Sequence, residues 1–423
     1  MLTKQERNEI ILLIRQEVTP AIGCTEPIAV ALAVAKVKEL LTVIPEKLDV
    51  WLSANVLKNA MGVGIPGTGM SGLPIAIAMG ALVGKSDYGL EVLRDSTPDS
   101  VEEGKKLVDR GIINIHLKED ITEKLYIEVT ASAGPDRARV IISREHARFS
   151  LIEKNGIILL EIEDNETDDT GNKQLQLSFD KVCDFAFDTP LDEIRFIKKT
   201  VELNKAAAVE SLKGTYGHSV AQTLANGMMG NSVYNHMLSV TAAACDARMA
   251  GAMIPVMSNS GSGNQGIAAT LPVSVFAEET GKSEEELIRA LILSHLITIY
   301  IKQSLGRLSG LCGAVVAATG SGCGVTYLMG GTREQIGYTI KNMIGNVTGM
   351  ICDGAKPSCT LKVYNGVSTA TLSALLAMDN KMVTAVEGIV DEDVDKTIQN
   401  LTKIGREGMM ETDKMVLDIM TSK

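Results

Sequence analysis

Between residues 112 and 163, short segments alternate apolar and polar side chains and are separated by polar turns. This two-residue period is typical of antiparallel strands that bury one face. After residue 174 the strand pattern nearly disappears, and residues 190–423 form apolar-periodic segments separated by Gly, Ser and Asn, which predict helices. The sequence therefore predicts an α+β fold, in which an N-terminal α+β region with an antiparallel sheet precedes an all-helical C-terminal region.

The polar stretch EDNETDDTGNKQ, residues 163–174, separates these two patterns. We expect a linker there, with an α+β domain over residues 1–175 and an all-helical catalytic domain over residues 176–423. A chain of 423 residues is long enough for both domains to have full hydrophobic cores.

The charge balance limits the classes of partner. Lys and Arg total 41 and Asp and Glu total 52, which gives a net charge of −11. A nucleic-acid-binding protein needs a clustered basic surface to neutralise phosphates, so we expect no nucleic-acid partner. The longest uncharged stretch, residues 308–332, could span a bilayer by length but contains seven glycines. We expect it to form buried or site-lining backbone instead.

The N-terminal segment MLTKQERNEIILLIRQEV has charges distributed through an amphipathic helical pattern. It contains no continuous apolar core of the kind found in signal peptides. We therefore expect a cytoplasmic protein that does not associate with a membrane, and the sequence leaves a homo-oligomer possible.

Seven cysteines are distributed along the chain, and none forms a CxxC pair. An odd number in a long chain favours free thiols, metal ligands or catalysis over disulfides. Cys183 and Cys245 lie within apolar patterns and are predicted to be buried structural residues. The others adjoin Gly, Pro, Ser or Asp, at element ends where a sulfur can face a ligand: Cys24, Cys312, Cys323, Cys352 and Cys359.

Cys24 directly precedes a predicted helix. Thr25, Glu26 and Pro27 are a helix-start combination with Pro in the first turn. A helix N-terminus lowers the pKa of a thiol and favours the thiolate, which is the form that binds metal.

Residues 258–266, SNSGSGNQG, form the densest cluster of polar residues and glycines in the chain. Such a loop can hold a small polar substrate, and its candidate residues are Ser258, Ser260, Ser262, Asn264 and Gln265. The loop is similar to the SGN-type substrate loop of pyridoxal-phosphate lyases, which need a Schiff-base lysine shortly upstream. Because no Lys occurs between residues 214 and 281, we do not expect pyridoxal phosphate.

Asn55, Lys58 and Asn59 lie just before another glycine-rich loop, GVGIPGTGMSG. Their amide and ammonium groups could bind a substrate carboxylate, or they could form an ordinary exposed helix turn. Both glycine-rich loops precede an apolar helix pattern, so they could offer backbone N–H groups to an anion. They could equally be tight turns that need glycine.

The five histidines include no HExxH motif or close pair that would indicate a zinc site. His116 and His146 fall in the predicted sheet and His295 in an apolar helix, which favours surface or core roles. His218 and His236 lie near predicted helix starts, and either could belong to a site.

Five motifs follow one another along the chain: GCTEP, NVLKNAMGVGIPG, SGSGNQGI, GLCGAVVAATGSGCG and ICDGAKPSC. As a set they resemble the L-cysteine desulfidase family, which is similar to the serine dehydratases. The last two motifs also resemble the cysteine-bearing segments of the iron–sulfur L-serine dehydratases. The resemblance covers nearly the whole chain and implies a serine dehydratase-like fold.

In the desulfidases three cysteines hold a [4Fe–4S] cluster, and the matching positions here are Cys24, Cys312 and Cys352. The serine dehydratases use a cysteine farther along from their CD motif, which makes Cys359 a rival ligand, although its spacing here is shorter. Cys323 would line the site without binding iron. The resemblance implies a lyase that releases hydrogen sulfide, pyruvate and ammonia from L-cysteine, with the unligated iron as a Lewis acid.

The sequence does not assign the catalytic base. The candidates are side chains near the glycine-rich loops and helix starts: Ser260, Ser262, Lys58 and His218. We assign binding of the substrate carboxylate to Asn55, Asn59 and the SGSGNQG loop. The alternatives are an iron–sulfur L-serine dehydratase, or a non-catalytic protein that binds a small molecule.

Overall fold

A computed structural model describes residues 2–119, 121, 123–162, 175–225, 230–306 and 308–422. The predicted linker at residues 163–174 lies outside the described residues, and the domain boundary at residue 175 stays a prediction. The α+β architecture is confirmed, because an N-terminal region with a sheet precedes a region of packed helices.

Eight strands occur in the described part of the chain: β1 (Pro20–Ile22), β2 (Lys47–Leu52), β3 (Ile113–Leu117), β4 (Tyr126–Ala133), β5 (Asp136–Ser143), β6 (Phe149–Lys154), β7 (Ile157–Glu161) and β8 (Pro255–Met257). Six of them form one sheet in the order β3-β2-β4-β5-β6-β7. The sheet is antiparallel, as predicted, except that β2 and β3 pair in parallel. That pairing is possible because helices form the crossover between these two strands.

The α-helices of the described residues are α1 (Lys4–Glu17), α2 (Thr25–Leu41), α3 (Ala54–Ala60), α4 (Leu73–Leu82), α5 (Pro98–Asp109), α6 (Phe179–Asp188), α7 (Leu191–Ile194), α8 (Lys198–Ser211), α9 (Val220–Ala225), α10 (Val233–Met249), α11 (Gly263–Glu279), α12 (Glu284–Leu305), α13 (Gly313–Leu328), α14 (Arg333–Asn346), α15 (Cys359–Met378), α16 (Val394–Lys403) and α17 (Met410–Thr421). Short 3-10 turns lie at Ser86–Glu91 and Arg195–Ile197, and a π-helical turn lies at Ile404–Gly408.

Helix α2 is the central element of the N-terminal region. It contains the uncharged run PIAVALAVA and is buried between the strands β4 and β5 on one side and α4 on the other. A helix that is apolar around its whole circumference is stable only when it is enclosed in this way. A Cβ atom on Gly80 of α4 would lie 2.6 Å from the carbonyl oxygen of Ala31, so glycine permits this close packing. The packing of α4 against α2 therefore fixes the position of this helix.

The uncharged stretch of residues 308–332 forms a loop and the buried helix α13. α13 packs against α11, α12 and α15, and a Cβ atom on Gly320 would lie 2.2 Å from the carbonyl oxygen of Ser294. Glycine at this position lets the backbones of α12 and α13 approach each other. The prediction of buried backbone is confirmed. In the part of the chain that the structure describes, no helix has the length and apolar character needed to cross a membrane.

The N-terminal segment is connected to the helical region near residue 20. β1 pairs antiparallel with β8, so the predicted all-helical region contains one strand of three residues. α1 packs against α12, and the amide of Ser258 donates to the carbonyl of Thr19 over 2.8 Å. Residues 4–22 therefore lie against the helical region, and they bring the start of α2 beside the loop of residues 258–262.

Candidate functional site

A cavity lies where helices from both regions begin. Cys24, Ser262 and Cys312 are the N-cap residues of α2, α11 and α13, and α15 begins at Cys359. The N–H groups at a helix start carry partial positive charge, so four helix starts together favour anionic groups here. The cavity has a volume of about 90 Å³, which gives room for several water-sized groups but not for a nucleotide-sized cofactor.

All four sequence-predicted metal ligands line this cavity: Cys24, Cys312, Cys352 and Cys359. Two backbone hydrogen bonds join the segments that carry two of them. The amide of Cys312 donates to the carbonyl of Met350 over 2.7 Å, and the amide of Cys352 donates to the carbonyl of Gly310 over 2.8 Å. Folding therefore brings these thiols together although they are far apart in the sequence.

The remaining cysteines lie in the core. Cys183 and Cys245 are fully buried, as predicted. Cys323 was expected to line the site, but it is buried on α13 with its Sγ atom 3.9 Å from the carbonyl oxygen of Ile336. It does not line the cavity because it lies eleven residues beyond Cys312, about 16 Å farther along the helix axis.

Burial raises the pKa of three thiols in the cavity wall. Burial and the neighbouring Glu26 raise the pKa of Cys24, although Arg248 acts in the opposite direction. Burial, with Cys352 and Cys359 nearby, raises the pKa of Cys312 to about 12, and burial also raises the pKa of Cys359. Cys24 begins a helix as predicted, but the expected lowering of its pKa is wrong because burial outweighs the helix N-terminus.

The thiols fit an iron–sulfur cluster. Cysteine thiolates are the usual ligands of such clusters, and a cationic metal group compensates the charge of buried thiolates. Among the described residues, no three His, Cys, Asp or Glu side chains are arranged to hold a single metal ion. The four thiols nevertheless line one cavity, as the ligands of a single cluster must.

A buried carboxylate lies beside Cys24. The Sγ atom of Cys24 donates to Oε2 of Glu26 over 3.0 Å, and Nδ2 of Asn59 donates to Oε1 of Glu26 over 3.0 Å. Nε2 of His146 lies 3.9 Å from the same Oε1 atom. Burial opposes ionisation, but the contacts with His146 and Cys24 outweigh it and lower the pKa of Glu26 to about 2. The cavity wall therefore contains a permanent negative charge.

His146 lies in the turn between β5 and β6, whereas the sequence placed it in the sheet. The strand ends at Ser143 and the following turn carries the imidazole inward, where it is only 6% exposed and lines the cavity. Its Nε2 atom is buried and accepts or donates no hydrogen bond within the described residues. This nitrogen can therefore form a hydrogen bond with a ligand in the cavity.

Arg248 is a residue of the cavity wall that the sequence interpretation missed. It is buried on α10 and lines the cavity, where Nη1 donates to Oδ1 of Asn264 over 2.9 Å and Nη2 donates to the carbonyl of Gly23 over 3.0 Å. Its Nε atom is buried without a hydrogen-bond partner in the described chain. The signal was present, because an Arg within the alanine-rich segment TAAACDARMAG has to be paired if that segment is buried.

The second glycine-rich loop forms one wall of the cavity. Ser262, Asn264 and Gln265 line it, together with Asn59 from α3. The side-chain oxygens of Asn59 and Gln265 are buried and accept no hydrogen bond from the described residues. The loop is held tightly against β8, since a Cβ atom on Gly266 would lie 1.9 Å from the carbonyl oxygen of Met257.

Three other candidates lie outside the cavity wall. Oγ of Ser258 donates to the carbonyl of Thr19 over 2.6 Å, and Oγ of Ser260 donates to Oδ1 of Asn259 over 2.8 Å. These hydrogen bonds stabilise the conformation of the loop of residues 258–262. His218 is exposed just before α9, and it does not line the cavity.

Asn55 and Lys58 lie on the far side of α3. Nζ of Lys58 is 2.6 Å from Oδ1 of Asp413 on α17, and Nδ2 of Asn55 donates to Oδ2 of Asp413 over 3.3 Å. The two residues therefore bind a carboxylate, but it belongs to the chain itself. The first glycine-rich loop, residues 62–72, likewise does not line the thiol cavity.

Comparisons with known proteins show similarity over the whole length of the chain. Residues 87–418 match the family model described as serine dehydratase alpha chain. A UPF0597 protein of Bacteroides fragilis is 65% identical, with 100% of each chain covered. UPF0597 proteins of Porphyromonas gingivalis and Oleidesulfovibrio alaskensis are 54% and 46% identical, and each alignment covers 99% of both chains.

Proposed function

Because the chain belongs to the serine dehydratase alpha chain family, we propose that it is a lyase that eliminates sulfide from L-cysteine. Family membership indicates the lyase class. The substrate, and a [4Fe–4S] cluster bound by Cys24, Cys312 and Cys352, are the finer parts of the proposal. The products are hydrogen sulfide, pyruvate and ammonia.

The observation that carries the proposal is the shared cavity. Four thiols from distant parts of the chain line it together with four buried polar atoms that have no partner among the described residues: Oδ1 of Asn59, Nε2 of His146, Nε of Arg248 and Oε1 of Gln265. Each unsatisfied buried polar group costs about 1–3 kcal/mol. Their concentration in one place supports a polar ligand that pairs with them.

Substrate binding follows from the charges in the wall. Arg248 presents a guanidinium to the substrate carboxylate, and its contacts with Asn264 and Gly23 fix it before the substrate arrives. The unpartnered amide oxygens of Asn59 and Gln265 can accept hydrogen bonds from the substrate ammonium group. The helix starts add positive potential at the anionic end of the ligand.

His146 is the proposed base. Its Nε2 atom accepts the proton from the substrate Cα, and the imidazolium that forms faces the Glu26 carboxylate, which stabilises it. When bound, the cluster would supply a Lewis-acidic iron that stabilises the departing sulfide. Loss of the Cα proton and cleavage of the C–S bond leave 2-aminoacrylate, which tautomerises and is hydrolysed to pyruvate and ammonia.

Anaerobic reconstitution with iron and sulfide tests the proposal. We expect the protein to become brown, to bind about four irons per chain, and to release sulfide and pyruvate from L-cysteine in equal amounts. The same assay on Cys323→Ala, which removes a buried thiol outside the cavity, is the matched control and should give the same result. Absence of colour, or absence of both products from a brown protein, rejects the proposal.

L-Serine dehydration is the second candidate, and the description of the matching family model favours it. The same residues would remove the Cα proton while hydroxide leaves in place of sulfide. Pyruvate formation from the two substrates at equal concentration separates the candidates. Our proposal expects kcat/KM for cysteine to exceed that for serine by at least about tenfold, which is about 1.4 kcal/mol. The reverse ratio would favour the dehydratase.

A further inference from the structure

A second cavity lies on the other side of α3, between that helix, the described residues of the β3–β4 connection and the start of α17. Its volume is about 410 Å³, and among the residues that the structure describes two carboxylates and five cations line it: Glu123, Asp413, Lys58, Lys118, Lys124, Arg406 and Lys414. The whole chain carries a net charge of −11. A cavity with the opposite sign of charge is therefore a local feature that needs an explanation.

Lys58 forms the base of this cavity and is already neutralised. Its side chain is 2% exposed, and Nζ lies 2.6 Å from Oδ1 of Asp413. A buried ammonium group needs such a partner. The Lys58 ammonium and the Asn55 amide both donate to the carboxylate of Asp413. This part of the cavity therefore accepts an oxyanion.

Among the described residues of the wall, the other four cations face one remaining carboxylate, that of Glu123. Three of them also have partners outside the wall: Lys118 with Glu128, Arg406 with Glu407 and Lys414 with Glu411. Arg406 and Lys414 are more than half exposed, and exposed ion pairs of this kind contribute little. These side chains can therefore turn towards a ligand that carries more charge.

We propose that this basic cavity binds a small oxyanion with at least two negative charges. Inorganic phosphate, a phosphate ester and a di- or tricarboxylate share that chemistry, and each can accept several charge-assisted hydrogen bonds from Lys and Arg. A neutral or zwitterionic amino acid would leave the excess positive charge of the wall uncompensated.

Helix α3 connects the basic cavity to the thiol cavity. Lys58 lines the first and Asn59 lines the second. A Cβ atom on Gly354, in the wall of the thiol cavity, would lie 2.1 Å from the carbonyl oxygen of Lys58. A bound anion that shifts α3 therefore changes the thiol cavity, and we expect it to alter the KM of the lyase reaction, a consequence that rests on the proposed function.

Thermal unfolding of the full chain tests the binding itself. Phosphate, citrate and chloride are compared at equal ionic strength, because screening alone changes stability. We expect phosphate or citrate, but not chloride, to raise the unfolding midpoint by at least about 2 °C. The double variant Lys124→Gln/Arg406→Gln should lose most of this shift. Lys105→Gln/Lys199→Gln, two exposed lysines on α5 and α8, is the matched control and should keep it.

Glu123→Gln should have the opposite effect to the double variant. It removes a negative charge from the wall, so it should enlarge the rise in the unfolding midpoint that phosphate or citrate causes. A shift with phosphate alone identifies a phosphate group as the ligand chemistry, and a shift with citrate alone identifies a polycarboxylate. The proposal is overturned if neither anion exceeds chloride, or if the double variant responds as the unchanged chain does. None of these readouts needs activity, so they are independent of the lyase assignment.

Discussion

Cys24 donates its thiol hydrogen to the carboxylate of Glu26 across 3.0 Å, so a candidate iron ligand and a buried acid form one hydrogen-bonded unit. Ionisation of this thiol removes the donor, and Glu26 then keeps Asn59 and the nearby His146 as partners. Binding of metal by Cys24 therefore changes the charge and the hydrogen bonds around His146. The first two predictions separate these roles.

Replacing Cys312 or Cys352 by Ala should abolish cluster binding, because each substitution removes one of the three proposed ligands. Cys24→Ala should have the same effect, and iron should fall from about four to less than about one per chain after reconstitution. Cys359→Ala should keep most of the iron. If Cys359→Ala loses iron and Cys24→Ala retains it, the ligand set is instead Cys312, Cys352 and Cys359.

His146→Gln should lower kcat by about 10²- to 10⁴-fold, the usual contribution of a general base, while iron content stays unchanged. Steady-state kinetics and an iron assay on the same preparation measure both quantities. His236→Gln is the matched control, because His236 is an exposed residue that pairs with Glu279. Turnover of His146→Gln within about twofold of the unchanged chain would exclude this histidine as the base.

Arg248→Lys should lower kcat/KM by about 100-fold, mainly through KM. Lysine keeps the charge but cannot contact Asn264 and Gly23 and face the substrate at the same time. Arg289→Lys, which changes an arginine bonded to the carbonyls of Ala186 and Thr189, should leave KM unchanged. An unaltered KM in Arg248→Lys would mean that another group binds the carboxylate.

Stability should fall in mild acid because of His295. This residue is fully buried between Asn259 and Thr270, and burial lowers its pKa from 6.5 to about 3. The unfolded chain therefore binds a proton between these values that the folded chain does not, so the free energy of unfolding decreases as pH falls from about 6.5 towards 3. The loss from this group is up to about 4 kcal/mol.

Urea unfolding at several pH values measures this dependence. His295→Gln should unfold more easily at neutral pH, since it disturbs a buried hydrogen-bond network, but its stability should vary less with pH across the window. His116→Gln replaces an exposed histidine and should keep the original slope. Glu26, whose pKa is lowered to about 2, adds to the loss only below about pH 4.5. An unchanged slope in His295→Gln would refute the assignment.

Gly320→Ala should destabilise the helical region by about 2 kcal/mol through overpacking. The added Cβ atom would lie 2.2 Å from the carbonyl oxygen of Ser294 and 2.6 Å from Oγ1 of Thr298. Gly214→Ala is the control, because its nearest neighbour would be 3.5 Å away in ordinary contact. Denaturant midpoints measure both, and equal midpoints would show that α12 and α13 can separate without cost.

The fold class could be predicted because helix and strand periods are local properties of the sequence. The strand β8 could not, since three residues are too few to show a period and its pairing with β1 joins positions 235 residues apart. The parallel pairing of β2 with β3 depends on how the intervening helices pack. Neither feature has a local signal.

The thiols of the site could be predicted from their neighbours and from the family resemblance, because Cys24, Cys312 and Cys359 stand at helix starts and Cys352 lies in a loop beside Asp and Gly. Arg248 and His146 could not, since their roles depend on which side of an element faces the cavity. Asn55, Lys58 and Asn59 illustrate this limit. Successive helical residues point about 100° apart, so Lys58 and Asn59 reach different cavities although they are adjacent in sequence.

The pairing of β1 with β8 has a consequence for biosynthesis. Cys24 precedes β8 and Cys359 in the chain, so the wall that it shares with Cys359 exists only after the segments between them have been synthesised and folded. A scaffold protein that delivers iron and sulfur would therefore bind a chain in which these segments have already folded. A cluster at the proposed site would therefore be inserted after these segments have folded, because Cys24 alone supplies only one of the thiols.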